Sequence, residues 1–120
     1  MGSLLALILL NKMENKMKKV LKLMPDYQCF PLWRAGGEIG NVDPNILPLN
    51  KALIDDLKKW SQAYDGTLNS TSPAESGFND SAAEMAFEVE GQRLWKELQK
   101  QLEPEYKVIY FSQCNSKIFE

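Results

Sequence analysis

The chain has 120 residues, 44% of them hydrophobic and 25% charged, and this length and balance predict one globular domain. Its formal net charge of -2 and pI near 5.2 argue against direct nucleic-acid binding, which needs clustered Lys and Arg. The sequence has no histidine, the residue that most often activates Ser and Cys nucleophiles and ligates zinc. We therefore predict no catalytic residue, no metal or cofactor site, and a protein that is not an enzyme.

The N-terminal segment differs from the rest of the chain. Leu4 to Leu10 is an apolar run far shorter than the ~20 residues that span a bilayer, and it lacks the flanks of a secretory signal. We interpret 1–16 as a leader or non-native extension, 17–112 as a single α+β domain and 113–120 as a C-terminal tail. Two isolated cysteines, Cys29 and Cys114, fit neither a disulfide framework nor a metal site and favour a cytoplasmic protein away from membranes.

The first half of the domain is predicted to be a strand followed by a packed loop. Residues 18–24 alternate in the period of two that is typical of a strand, which Pro25-Asp26 ends. From Tyr27 to Leu49, three glycines and three prolines exclude a long helix. Short strands around Leu32 and Ile39 are expected, with a turn at Gly36-Gly37.

Two amphipathic helices follow. Asn50 suits the N-cap of a helix that runs to about Tyr64, and a capping box, Ser81-x-x-Glu84, predicts a second helix that ends near Glu103. Residues 66–80 between them are predicted to be a surface loop. The apolar stripe of the second helix contains Gly91, which we expect to permit close packing. Its members are Phe87, Gly91, Leu94, Trp95, Leu98 and Leu102.

The domain is predicted to end in a strand at residues 106–111, whose nearly continuous apolar run predicts that both of its faces are covered. Taken together, the elements predict an α+β fold. A small sheet that includes the N-terminal and C-terminal strands packs against the two helices.

Two groups in the loop region could carry chemistry. Gly36-Gly37-x-x-Gly40 lacks the spacing of a phosphate-binding loop, so turn geometry is the better interpretation. Asp26, Glu38 and Asp43 could pair as acid and base or hold a cation, or they could be solvated loop carboxylates. Both interpretations of these carboxylates remain open at this stage.

Further candidates could contact a partner protein. Trp33 lies among turn residues. It is either a core residue that anchors the loop or an exposed aromatic residue that contacts a partner. The second helix and the loop before it are rich in acids, which form either a solvated helix face or a patch complementary to a basic partner.

Several short motifs occur together across residues 17–112. They are Lys22-Leu23-Met24-Pro25-Asp26-Tyr27-x-Cys29-x-Pro31-Leu32-Trp33, Gly40-Asn41-Val42-Asp43-Pro44, Leu47-Pro48-Leu49, Trp60, Tyr64-Asp65 and Ser76-Gly77-Phe78. This combination resembles a family of small bacterial proteins that includes immunity proteins of contact-dependent growth inhibition toxin systems. The resemblance implies a cytoplasmic protein that binds a cognate toxin domain, commonly a nuclease, and blocks its active site or substrate surface. It carries over no catalytic residue.

The leading hypothesis is therefore a toxin-neutralising immunity protein, monomeric outside the complex. The expected partner-binding residues are three acids that we predict to be exposed, Glu38, Glu84 and Glu88. Asp65, Trp33 and the 66–80 loop are lesser candidates. Two alternatives remain: a small enzyme or ligand-binding protein that uses the segment from Asp26 to Asp43, and a structural adaptor.

Overall fold

The computed structural model describes residues 4–7, 18–37 and 40–120. Within residues 18–120, the described part of the chain forms a five-stranded sheet with two long helices on one face. Residues 4–7 are helical and exposed. The strands are β1 (Lys19–Leu23), β2 (Leu32–Ala35), β3 (Gly40–Val42), β4 (Tyr106–Ser112) and β5 (Lys117–Phe119). The helices are α1 (Lys51–Asp65) and α2 (Ser81–Leu102), with short 3-10 turns at Pro44–Ile46 and Pro73–Glu75. The predicted α+β fold is confirmed.

The sheet is mixed, with the order β3-β2-β1-β4-β5. The central strands β1 and β4 are parallel and pair Leu21 with Val108, whereas all other neighbouring strands are antiparallel. Because parallel strands end at the same edge, the segments that leave β1 and β4 emerge side by side.

The core lies between the sheet and the helices. Alternate strand residues such as Leu23 and Tyr110 point towards α1 and α2 and are buried. The apolar faces of both helices meet them from the other side. The buried apolar side chains from the helices are Leu53, Leu57, Trp60, Phe87, Leu94, Leu98 and Leu102.

Gly91 lies where α2 comes closest to its neighbours. A Cβ atom at this position would clash with the hydroxyl of Tyr110 and would lie 2.9 Å from Cζ2 of Trp60. The prediction that Gly91 permits close packing is confirmed.

Three local predictions need correction. The N-cap of α2 is Asp80, whose Oδ1 accepts a hydrogen bond from the Ala83 amide at 2.7 Å, so the predicted capping box at Ser81 is wrong by one residue. Only one face of β4 is fully covered, because Lys107 on the other face is exposed. Finally, the segment 113–120, which was predicted to be a C-terminal tail, contains the strand β5.

Within the described residues, no helix has the length and apolar character needed to cross a membrane.

Candidate functional site

One continuous part of the chain carries acidic residues and no basic residue. Between Lys59 and Arg93 the sequence has six acids and no base. This part comprises the end of α1, the 66–80 loop and the first half of α2. The six acids are Asp65, Glu75, Asp80, Glu84, Glu88 and Glu90.

This acidic part meets the edge where β1 and β4 end. Tyr27, which follows β1, and Gln113, which follows β4, line a cleft of about 220 Å³ together with Glu84 of α2. The rest of its lining comes from α1 and the loop: Tyr64, Thr67, Ser76, Gly77 and Phe78. The fold thus brings together three motifs that are far apart in the sequence, around Tyr27, Tyr64 and Phe78.

Two stacked tyrosines form the floor of this region. The rings of Tyr27 and Tyr64 have centroids 4.6 Å apart, and the Tyr27 hydroxyl shares a hydrogen bond of 3.0 Å with Oγ1 of Thr67. Burial, followed by the charge and hydrogen-bonding effects of Tyr27, raises the pKa of Tyr64 to about 12. Tyr64 is therefore a neutral phenol at physiological pH, with a role in packing.

Asp65, a predicted contact residue, ties two segments of this region together. Its Oδ1 accepts a hydrogen bond from the backbone amide of Gln28 at 2.9 Å, which holds the segment after β1 against the end of α1. The side chain is half-buried. Within the loop, the Gly77 amide donates to the Thr67 carbonyl at 3.0 Å, so the loop closes on itself.

Glu84 is the predicted contact residue that lies most directly at the cleft. It is half-buried and stands beside Cys114. Hydrogen bonding to the Glu84 carboxylate, followed by burial and the negative charge of that carboxylate, raises the pKa of the Cys114 thiol.

Glu88 is buried, with 5% of its surface exposed, and the prediction that it is an exposed acid is wrong. Its Oε1 accepts hydrogen bonds from the hydroxyls of Tyr110 at 3.1 Å and Ser112 at 2.6 Å. Its Oε2 accepts one from Nε2 of Gln92 at 2.9 Å. These three donors hold the carboxylate between α2 and β4, where it links the helix to the sheet.

The remaining predicted contact residues lie away from this cleft. Trp33 is half-buried on the face of the sheet that the helices leave open, and its Nε1 donates to the Met24 carbonyl at 3.0 Å. Its strand neighbours Lys22 and Asn41 share that face. Glu38 lies outside the described residues.

Two of the three loop carboxylates considered for catalysis, Asp26 and Asp43, accept hydrogen bonds from nearby backbone amides. Oδ1 of Asp26 accepts from the Tyr27 amide at 2.8 Å, and Oδ1 of Asp43 accepts from the Asn45 amide at 2.9 Å as the cap of a 3-10 turn. Among the residues that the structure describes, no group of three or more His, Cys, Asp or Glu could hold a metal ion.

A larger cleft of about 520 Å³ lies at the opposite edge of the sheet, where β1 and β4 begin. Lys18, Lys19 and Arg34 contribute the charged groups of its lining. We assign this cleft no function.

Comparison with known proteins identifies the family. A family model described as Serratia CdiI immunity protein-like matches residues 19–113. The chain belongs to this family, and the resemblance predicted from the motifs is confirmed. No curated protein matches the chain.

Proposed function

We propose that this protein is an immunity protein that binds a cognate toxin domain of nuclease type in the cytoplasm and blocks its active or substrate-binding surface. Family membership supports the immunity role. The observation that carries the binding mode is a set of solvent-accessible acids, Glu75, Asp80 and Glu84, in a part of the chain between Lys59 and Arg93 that has no base. A nuclease holds phosphates with basic groups, and an acidic protein surface competes for those groups.

The structure favours some of the predicted contact residues over others. Of the predicted contacts, Glu84 lines the cleft and Asp65 stabilises the segments around it. Asp80, which was not among the predicted contacts, is exposed at the start of α2. Glu88 is enclosed by its donors, so we assign it to the support of α2. Trp33 belongs to another face and is not part of the proposed contact.

The first test is rescue. Cells that express the toxin domain encoded directly upstream should survive when this protein is co-expressed, and the two proteins should elute together in size-exclusion chromatography. Growth arrest despite soluble expression, with no complex on the column, would rule out the proposed function.

The second test addresses the charge of the contact. The double variant Asp80→Asn, Glu84→Gln removes two charges while Asn keeps the cap of α2. We expect the association rate constant with the toxin to fall about tenfold at low salt, with a weaker salt dependence. The matched control is Lys96→Gln, Lys100→Gln on the other half of the same helix, which should associate no more slowly than the wild type. Equal rates for all three proteins would contradict an electrostatic contact at this surface.

A further inference from the structure

The cleft at the edge where β1 and β4 end has the size of a site for one side chain. Its volume of about 220 Å³ is below the ~300–1,000 Å³ that is typical of small-molecule pockets. Among the described residues that line it, Glu84 alone is charged. We call this space the Glu84 cleft.

The charge of Glu84 is not neutralised within the described part of the chain. Glu84 takes part in none of the ion pairs there, and its neighbour Cys114 donates a hydrogen bond without bringing a positive charge. Because the Glu84 side chain is half-buried, water screens its charge less than at a fully exposed acid. A cation that enters the cleft is therefore attracted more strongly than one at the open surface.

Tyr27 supplies a second hydrogen-bond acceptor in the cleft. The Thr67 hydroxyl donates its single hydrogen to the Tyr64 carbonyl at 2.7 Å, so the bond between Tyr27 and Thr67 uses the hydrogen of Tyr27. The phenolic oxygen of Tyr27 is left with lone pairs and no hydrogen for a ligand. This oxygen and the Glu84 carboxylate both suit a side chain that only donates hydrogen bonds, as Lys and Arg do.

Aromatic side chains complete the lining. Tyr27, Tyr64 and Phe78 offer apolar surface to the methylene groups of a long basic side chain, and aromatic ring faces attract cations. Packing holds these rings in place, since the centroid of Tyr27 lies 4.6 Å from that of Tyr64 and the centroid of Phe78 lies 5.0 Å from that of Phe87. Size, charge, acceptors and rings all favour Lys or Arg as the occupant.

We propose that the Glu84 cleft binds the side chain of one Lys or Arg residue of the toxin domain, with its charge against Glu84 and its aliphatic part against the rings. This inference rests on the proposed function and names the chemistry of the central contact. A nuclease carries basic groups where it holds phosphates, so a basic side chain inserted in the cleft is withdrawn from the substrate. Exposed acids such as Asp80 act mainly on the association rate, whereas the enclosed pair slows dissociation.

The test uses the full chain and the purified toxin domain encoded directly upstream, inactivated by substitution if necessary. Glu84→Gln keeps the size of the side chain and an acceptor oxygen but removes the charge. We expect the dissociation constant to rise about 30-fold, mainly through faster dissociation. The matched control is Glu97→Gln, since Glu97 is a half-buried glutamate of the same helix that does not line the cleft. This control should bind like the wild type.

A double-mutant cycle identifies the residue that enters the cleft. Each Lys and Arg of the toxin domain is replaced by Ala in turn, and each toxin variant is titrated with the wild type and with Glu84→Gln. One replacement should weaken binding to the wild type about tenfold and change binding to Glu84→Gln by less than about threefold. In addition, Gln113→Lys adds a cation to the cleft from an exposed position and should weaken binding, whereas Gln113→Glu should not.

The outcomes separate this inference from the proposed function. If the wild type binds the toxin and Glu84→Gln binds equally well, or if no single Lys or Arg of the toxin is coupled to Glu84, the inference is wrong while the immunity role stands. If the wild type neither binds nor rescues, the proposed function fails and the inference fails with it. If the wild type sediments as a dimer and Glu84→Gln as a monomer, the cleft holds a basic residue of a second copy and the proposal is overturned.

Discussion

At the scale of single residues, Glu88 shows the clearest difference between prediction and structure: its side chain was predicted to be exposed and is buried. It lies in an acidic helix and was predicted to face solvent. Its hydroxyl donors Tyr110 and Ser112 are 22 and 24 residues further along the chain. The sequence around Glu88 does not indicate these contacts. Helical periodicity predicts which residues share a face of the helix, but it does not predict which polar groups of a distant strand pack against that face.

Glu88→Ala should lower the free energy of unfolding by about 3 kcal/mol, because it leaves buried donors of Tyr110, Ser112 and Gln92 without their acceptor. Urea unfolding followed by circular dichroism measures this. Glu90→Ala is the control, since the surface ion pair of Glu90 with Arg93 contributes less than about 1 kcal/mol. A loss at Glu88 no larger than at Glu90 would show that the buried network contributes little.

Gly91→Ala should also destabilise the fold, by about 1–3 kcal/mol. The added methyl group meets Tyr110 and Trp60, and the resulting strain exceeds the gain in helix propensity. The measurement is thermal or urea unfolding. At Gly66, the C-cap of α1, a Cβ atom makes only ordinary contacts, so Gly66→Ala should cause no loss. Equal stability of the two variants would mean that α2 can move away from β4 without cost.

At the scale of elements, the sequence predicted both helices well, because apolar periodicity and capping residues are local signals. Asn50 caps α1 as expected, with its side chain accepting from the Leu53 amide. At α2, Asp80 and Ser81 are adjacent and both suit an N-cap, so sequence preference could not choose between them.

The choice of cap can be measured. Asp80→Ala should cost about 1 kcal/mol because the Ala83 amide loses its acceptor, whereas Asp80→Asn should cost little. Ser81→Ala should be nearly neutral, since Ser81 is already inside the helix. If Ser81→Ala lowered the free energy of urea unfolding more than Asp80→Ala did, Ser81 would be the N-cap, as the predicted capping box required.

The strand β5 was missed for a different reason. It has three residues, and the turn before it uses Ser116 with a φ of 50°, a conformation that glycine or asparagine usually marks. Neither residue stands at position 116. The pairing with β4 is set by tertiary contacts of Phe119, whose ring lies 6.2 Å from those of both Trp95 and Tyr110.

Adjacent residues of β5 face opposite sides and so provide their own control. Phe119→Ala should cost about 1.5–2 kcal/mol, roughly half of what a fully buried Phe contributes, because its ring is half-buried on the helix side. Ile118→Ala on the open side should cost less than about 0.5 kcal/mol. Similar losses at both positions in urea unfolding would mean that β5 does not pack as described.

At the scale of the whole molecule, the parallel pairing of β1 and β4 creates the candidate site. The sequence predicted both strands but not that they are adjacent and parallel, and this pairing is what brings Tyr27, Gln113 and Glu84 to one edge. The acidic composition was visible from the sequence. Only the fold shows that Glu84 lies at the opposite edge of the sheet from Lys18, Lys19 and Arg34.

The central claim is that a toxin domain covers the first half of α2. Amide hydrogen exchange of this protein, free and in complex with the toxin domain, tests it most directly. We predict slower exchange in the complex across residues 80–90 and the adjoining 66–80 loop, with β2 around Trp33 unchanged. Slower exchange confined to β2 and β3, with residues 80–90 unaffected in a stable complex, would contradict the account.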